Sequence, residues 1–314
     1  MTNRYKPEGS LLSTYQNQEY ISSLQGLERA LEKQLILEAP AILCDHNFDL
    51  HVELPGGLRG VIPHAEVQYL PDGEQVKDIA VLTRVGKPVC FKVMGFCKGG
   101  AGEPIALLSR RAAQRECAIQ YISALIPGDI IPTKVTHLEN FGAFVDIGCG
   151  IVSLLSIDCI SVSRIAHPSA RLSVGASIYT VVKSIDEHGR IYVSERELLG
   201  SWEQNAARFS EGQTVRGIIR SIENYGIFVE LSPNLAGLAE IKENARVDHT
   251  AAVFIKSIIP EKMKIKLIII DSHRESRPTE RLEYFIDPTS VSHIDSWTYS
   301  PPSCKRVIES VFQR

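Results

Sequence analysis

A chain of 314 residues is long enough for two or three independent cores, and its 44% hydrophobic and 23% charged residues are those of an ordinary folded protein. The formal net charge of −3 excludes an overall positive field, so any polyanion must be met by Lys and Arg sorted onto one face. No stretch approaches the roughly 18 consecutive apolar residues of a membrane span, the first 34 residues are too polar for a signal peptide, and the seven cysteines form neither a CxxC pair nor a zinc-ligand spacing. These features point to reduced thiols, no membrane association and a cytoplasmic location.

In chain order, Leu24, Leu27, Leu31 and Leu35 make a helical stripe within an N-terminal segment. Short runs rich in β-branched and aromatic residues follow, separated by Gly, Asn and Asp turns. Arg110 to Leu125 reads as a second helix. The next strands are expected near Ile130–His137, Ala143–Ile147, Ile151–Leu155, Ser177–Ile185 and Arg190–Ser194. Five short strands in about 70 residues suit a small closed barrel of the OB type. Glu195 to Phe209 places Leu198, Leu199, Trp202, Ala206 and Phe209 on one helical stripe, and the strand pattern then resumes. After Asp271 an extension contains Trp297, Tyr299, Pro301-Pro302 and a short helix that Ser303 is placed to cap.

An internal repeat organises these elements. Glu139-Asn140-Phe141-Gly142-Ala143-Phe144-Val145 matches Glu223-Asn224-Tyr225-Gly226-Ile227-Phe228-Val229 at an offset of 84 residues, and Gly128 and Ser153 keep that offset with Gly212 and Gly237. A weaker third copy lies upstream, with His46 to Val52 aligned on Glu139 to Val145 at an offset of 93. The fold class is therefore mainly β: tandem five-stranded barrels joined by short helices.

Catalytic signatures do not emerge from the sequence: no HExxH, nucleophile elbow or phosphate-binding glycine loop is present. Gly99-Gly100-Ala101-Gly102 reads as a hairpin turn. His46 and His51 beside Asp45 and Asp49 follow from strand alternation without a metal. No enzyme activity, cofactor or metal is expected.

The motifs resemble those of the bacterial ribosomal protein S1 family of RNA-binding modules. They are Gly128-Asp129, Phe141-Gly142-Ala143-Phe144-Val145, Gly150 and Arg190-Ile191-Tyr192-Val193-Ser194 in the middle copy. The third copy has Gly212-Gln213, Tyr225 to Val229 and Ala236-Gly237-Leu238; the first has Gly57 to Pro63 and Leu108 to Arg111. The resemblance covers roughly residues 35–271. It implies an N-terminal segment at 1–34, a divergent S1-like OB domain at 35–125, an S1 domain plus linker helix at 126–209, an S1 domain at 210–271 and an extension at 272–314. It further implies single-stranded RNA, mRNA above all, and the small ribosomal subunit as partners; an adaptor in RNA regulation or decay is the alternative.

The family's RNA face implies Phe141, Phe144, Ser156, Asp186 and Arg190 in the middle copy and Tyr225, Phe228 and Lys264 in the third, where Glu240 and Pro260 depart from the pattern. The first copy departs furthest, with Phe48 and His51 at the aromatic pair and Pro63, Ala101 and Ile105 beyond it. Exposed rings stack bases and cations neutralise phosphates. Phe141 and Phe144 are three apart, so a regular strand would send them to opposite faces, and Gly142 is expected to supply a bend or bulge. Phosphate partners are expected at Lys134 and Lys183, and at Arg216, Arg220, Lys256 and Lys266. Lys262, Lys264 and Lys266 alternate as on one strand face. The first copy, with the helical stripe before it, is expected to dock on the ribosome.

Overall fold

The computed structural model describes residues 4–70, 74–100, 102–275 and 282–312. They divide into two compact units, residues 1–125 with 146–152, and residues 126–145 with 153–314.

In the first unit, helices α1 (Tyr15–Ile21) and α2 (Leu24–Glu32) precede strands β1 (Leu37–Cys44), β2 (Leu50–Glu53) and β3 (Arg59–Ile62). Helix α3 (Asp78–Leu82), strands β4 (Pro88–Lys98) and β5 (Pro104–Ser109) and helix α4 (Arg110–Gln120) follow. The hydroxyls of Thr14, Ser23 and Ser109 cap α1, α2 and α4 by accepting backbone N–H groups of Asn17, Gly26 and Ala112. The strands close a barrel in the order β1-β2-β3-β5-β4, with β3 and β5 parallel. Leu27 of α2 is buried in the same cluster as Leu50, Ile62, Phe91 and Leu108, and Leu31 and Leu35 pack against it. The leucine stripe expected to dock on a partner is thus used up by its own barrel.

An N-terminal strap completes this unit. Glu8 receives Arg110 through Nε at 2.6 Å and Nη2 at 3.0 Å, and the Glu8 backbone N–H donates to Asp146 Oδ2 at 2.7 Å. Burial, reinforced by the Glu8 charge, pushes the Asp146 carboxyl up to about 7.

The repeated barrels are built from the second unit, apart from residues 146–152 at the β7–β8 corner. Strands β6 (Ile130–Glu139), β7 (Gly142–Gly148), β8 (Ile151–Ser156), β9 (Ser177–Ile185) and β10 (Ile191–Ser194) close in the order β10-β8-β7-β6-β9. After helix α5 (Trp202–Ala206) come β11 (Thr214–Glu223), β12 (Gly226–Ser232), β13 (Leu235–Ala239), β14 (Thr250–Ile259) and β15 (Lys264–His273), closed as β11-β12-β13-β15-β14. Each of the three barrels follows one circuit: the third strand runs parallel to the fifth, and the fourth closes on the first. Their inner faces carry the alternating apolar residues that predicted them, Ala143, Val145 and Ile147 on β7 and Ile265, Leu267 and Ile269 on β15.

Two expected helices differ. Glu195–Phe209 is interrupted: a 3-10 turn spans Arg196–Leu199, Gly200 takes φ 80°, and α5 begins at Trp202. A side chain at Gly200 would meet the Phe285 ring at 2.6 Å, so the break makes room for the tail. Ser201 and Gln204 form a reciprocal capping box that restarts the helix. The helix expected after Ser303 is absent. The tail instead forms a two-stranded ladder, β16 (Ser296–Thr298) with β17 (Glu309–Val311), and Ser303 lies in the turn joining them.

That tail holds the second unit together. Ile294 N–H donates to Gly128 O at 3.0 Å, and Ile130 N–H donates to Ser292 O at 2.8 Å. Further on, Trp297 and Tyr299 enter the core of the following barrel, and Tyr299 O–H donates to Asn234 O at 2.5 Å.

Candidate nucleic-acid interface

In the β6–β10 barrel the expected aromatic pair meets on one surface at the β6–β7 turn. Phe141 lies in the turn before β7 and Phe144 lies on the strand with its side chain outward, so strand parity does not separate them. Phe141 is 54% exposed. The two ring centroids are 6.0 Å apart with planes at 88°. The turn is fixed by Ile157 N–H donating to Phe141 O at 2.9 Å. Gly142 is required by close approach, because a Cβ there would sit 2.4 Å from Leu155 O and 3.0 Å from Ser156 Cα. Gly142→Ala is therefore expected to cost about 1–3 kcal/mol through overpacking. Thermal unfolding checks this, and an unchanged midpoint would show that the approach relaxes freely.

The same surface holds two residues that motif reading did not single out. His137 stacks on Phe144, with centroids 6.4 Å apart and planes at 22°. Tyr192 points outward between buried Ile191 and Val193 and stands opposite Leu154 across the parallel pair. Strand alternation was the available signal for Tyr192. Ser156 ends β8, half-buried, next to the turn.

Asp186 faces its own turn. Its Oδ1 accepts the N–H groups of Arg190 at 2.8 Å and His188 at 2.9 Å, and these bonds hold its carboxyl below the usual range. It thereby fixes the hairpin that presents exposed Arg190. Lys183 is exposed on β9, its Nζ 3.2 Å from Cys159 Sγ, and half-buried Lys134 lies on β6 opposite Ser177.

The β11–β15 barrel repeats the ring geometry. Tyr225, 70% exposed in the turn, and Phe228 on β12 have centroids 6.1 Å apart and planes at 88°. Phe228 pairs with Leu238, which pairs with Lys266, giving an outward row across β12, β13 and β15. Lys264 shares the outer face of β15 with Lys266. Lys262 does not, because Pro260 opens a 3-10 turn that takes Lys262 off the strand. Lys256 is exposed where the β14–β15 register shifts, and Glu240 is exposed just past β13.

The two arginines expected on this face stand elsewhere. Arg220 occupies the register break of β11 and donates through Nε to Glu230 Oε2 at 2.8 Å. The bulge in this hairpin therefore falls at Arg220, and Gly226 pairs regularly with Glu223. Arg216 is ion-paired with Glu275.

Comparison with known proteins agrees with this geometry. Residues 125–196 match the family described as S1 RNA binding domain. The chain is 35% identical over 143 residues to small ribosomal subunit protein bS1 of Staphylococcus saprophyticus, covering 44% of this chain and 36% of that one. It is 29% identical over 229 residues to bS1 of Leuconostoc lactis, covering 70% of this chain and 50% of that one. The match to the S1 family is to one segment of the chain, the β6–β10 barrel. The chain spans half or less of the length of these two relatives.

Of the three barrels the first departs furthest from the ring geometry of the other two. Phe48 adopts φ 61° and sits 6.1 Å from the His64 ring, while His51 Nε2 is 3.0 Å from Asp45 Oδ2. Asp45 Oδ1 also accepts the N–H groups of Asn47 and Asp49, so this acid organises the β1–β2 turn. Pro63 and Ile105 lack charge at the positions that follow, and Ala101 lies outside the described residues.

Proposed function

We propose that this chain binds single-stranded RNA, mRNA in the first place, on the outer faces of its second and third barrels. It does so in the cytoplasm together with the small ribosomal subunit, by binding alone and without catalysis. The observation that carries this reading is the repeated ring pair. Two barrels place an exposed aromatic turn residue edge-on to a strand phenylalanine at 6.0 and 6.1 Å, each pair with planes at 88°. Bases stack on such rings irrespective of sequence, and the basic groups of the same barrels meet the backbone. In the second barrel these are Lys134, Lys183 and Arg190; in the third, Lys256, Lys264 and Lys266. The likeness to ribosomal proteins supports the ribosomal setting.

Filter binding of a U-rich oligonucleotide over a salt series tests the reading. Each neutralised phosphate contributes a log–log slope of about −0.7 for single strands, so engagement of most of these cations gives a slope of roughly −3 to −4. Absent binding, or a slope near zero, would reject RNA as the ligand. Binding of duplex as tightly as single strand would reject the stacking platforms.

A further inference from the structure

A cavity of about 600 Å³ lies within the second unit, lined by the 166–171 segment, the outer side of β11, the end of β12, and residues on either side of the undescribed 276–281 stretch. Among its described lining residues are Arg171, Arg208, Arg216 and Arg220, facing the carboxylates of Glu230, Asp248, Glu275 and Glu283. Formally these charges balance. By depth they do not.

In the wall, Arg171 Nη2 and Arg220 Nε both donate to Glu230 Oε2, and the side chains of Arg171, Glu230 and Arg220 are only 4%, 4% and 8% exposed. Two guanidiniums therefore share one carboxylate where water screens little, and Arg171 Nε is buried without an acceptor among the described residues. Asp248, 3.5 Å from Arg220 Nη1, is 71% exposed, and the buried Glu195 near Arg171 accepts the Tyr284 hydroxyl with its carboxyl pushed by burial up to about 8, so it adds little negative charge at neutral pH. At the rim, Arg216 is paired with Glu275, and Arg208 Nη1 is 2.9 Å from Glu283 Oε2. Arg208 also lies over the Phe285 ring, 4.4 Å from its centroid, which fixes the direction of its guanidinium. Rim pairs of this exposure are weak and exchangeable. Planar guanidiniums match phosphate oxygens two at a time. The volume is within the range of small-ligand sites.

We propose that this cavity is a phosphate-binding site, with the buried Arg171–Glu230–Arg220 group supplying fixed positive charge and Arg208 and Arg216 closing on the phosphate in exchange for Glu283 and Glu275. The tail carboxylates occupy the rim arginines as phosphate stand-ins until a stronger anion arrives. None of Tyr225, Phe228, Lys264 and Lys266 lines the cavity, so it is separate from the ring platform of the third barrel. The phosphate comes either from the backbone of RNA already on the chain or from a free nucleoside polyphosphate.

The test titrates the full chain with inorganic tripolyphosphate by calorimetry, with no RNA present, so its outcome is independent of whether the barrels bind RNA. Saturable binding at one site is expected. Arg208→Ala with Arg216→Ala should weaken it at least tenfold, and Glu275→Gln with Glu283→Gln should tighten it about fivefold, a gain that misfolding does not produce. No saturable binding, or unchanged affinity in both paired variants, overturns the site. A U-rich oligonucleotide added to the loaded chain then identifies the source. Displacement of tripolyphosphate assigns the site to the RNA backbone, and simultaneous binding assigns it to a free polyphosphate.

Discussion

Replacing Phe141 and Phe144 together by alanine is expected to weaken single-stranded RNA binding about thirtyfold or more. Stacking contributes roughly 1–3 kcal/mol per base, and even the lower figure for two rings amounts to about 2 kcal/mol. The pair acts as one surface: the Phe141 edge meets the Phe144 ring at 6.0 Å, and His137 lies on Phe144 in turn. Loss of Phe144 alone therefore leaves Phe141 without its lateral support and His137 without a partner ring. The single substitutions should be less than additive, because the residues touch. Tyr225→Ala with Phe228→Ala should have a similar but smaller effect, since Glu240 stands exposed just past β13 in that barrel and repels phosphate. Both double variants keep the buried faces of their strands and should melt close to the parent. Affinity for a U-rich oligonucleotide unchanged in both, with folding intact, would remove the platform.

Much of this surface was legible because strand alternation and the repeat fix which residues point outward. Ser177–Ile185 was placed to the residue, and the two ring pairs follow from a motif that recurs at constant offset. What the sequence could not show was the partner of a charge. Arg216 and Arg220 look like free cations on a strand, yet their carboxylates, Glu275 and Glu230, arrive from 59 and 10 residues away. Lys262 continues the alternation of Lys264 and Lys266 in the sequence, but Pro260 starts a turn and breaks the period. Apolar stripes mislead in the same way. Leu27 to Leu35 gives no sign of whether it faces a partner or its own barrel, and Leu198 and Leu199 are buried as expected although Gly200 divides their helix. In the tail, Trp297 and Tyr299 are two apart and both buried, the spacing of a strand, and Pro301-Pro302 belongs to the connection between β16 and β17.

The tail also makes the second unit sensitive to pH through one buried acid. Glu195 is fully buried, its Oε1 accepts the Tyr284 hydroxyl at 2.9 Å, and its Oε2 has no hydrogen-bond partner among the described residues. Burial pushes its carboxyl from an ordinary 4.5 up to about 8, against the opposing pull of the Tyr284 bond and the Arg171 charge. In the unfolded chain the group returns to its ordinary value. Below about 4.5 it is protonated in both states, and its contribution to stability is fully present. Between 4.5 and 8 the unfolded chain releases the proton while the native one keeps it, so stability falls as pH rises, and the loss is complete once the native group ionises. Every tenfold difference in proton affinity between the two states corresponds to about 1.4 kcal/mol, and relaxation around the new charge reduces the total, leaving roughly 2–3 kcal/mol. Glu195→Gln keeps an acceptor for Tyr284 and cannot ionise. The variant should melt about 5–10 °C higher than the parent at pH 9 and within a degree or two of it at pH 4.5. Parallel stability curves for the two proteins from pH 4.5 to 9 would show that Glu195 is already ionised in the native state. The Tyr284 hydroxyl donates a stronger bond to the ionised carboxylate, so the tail contact should hold while the buried charge weakens the unit as a whole. Amide exchange at Phe285, whose N–H donates to Leu198 O at 2.9 Å, should therefore quicken with global unfolding and not ahead of it as pH rises.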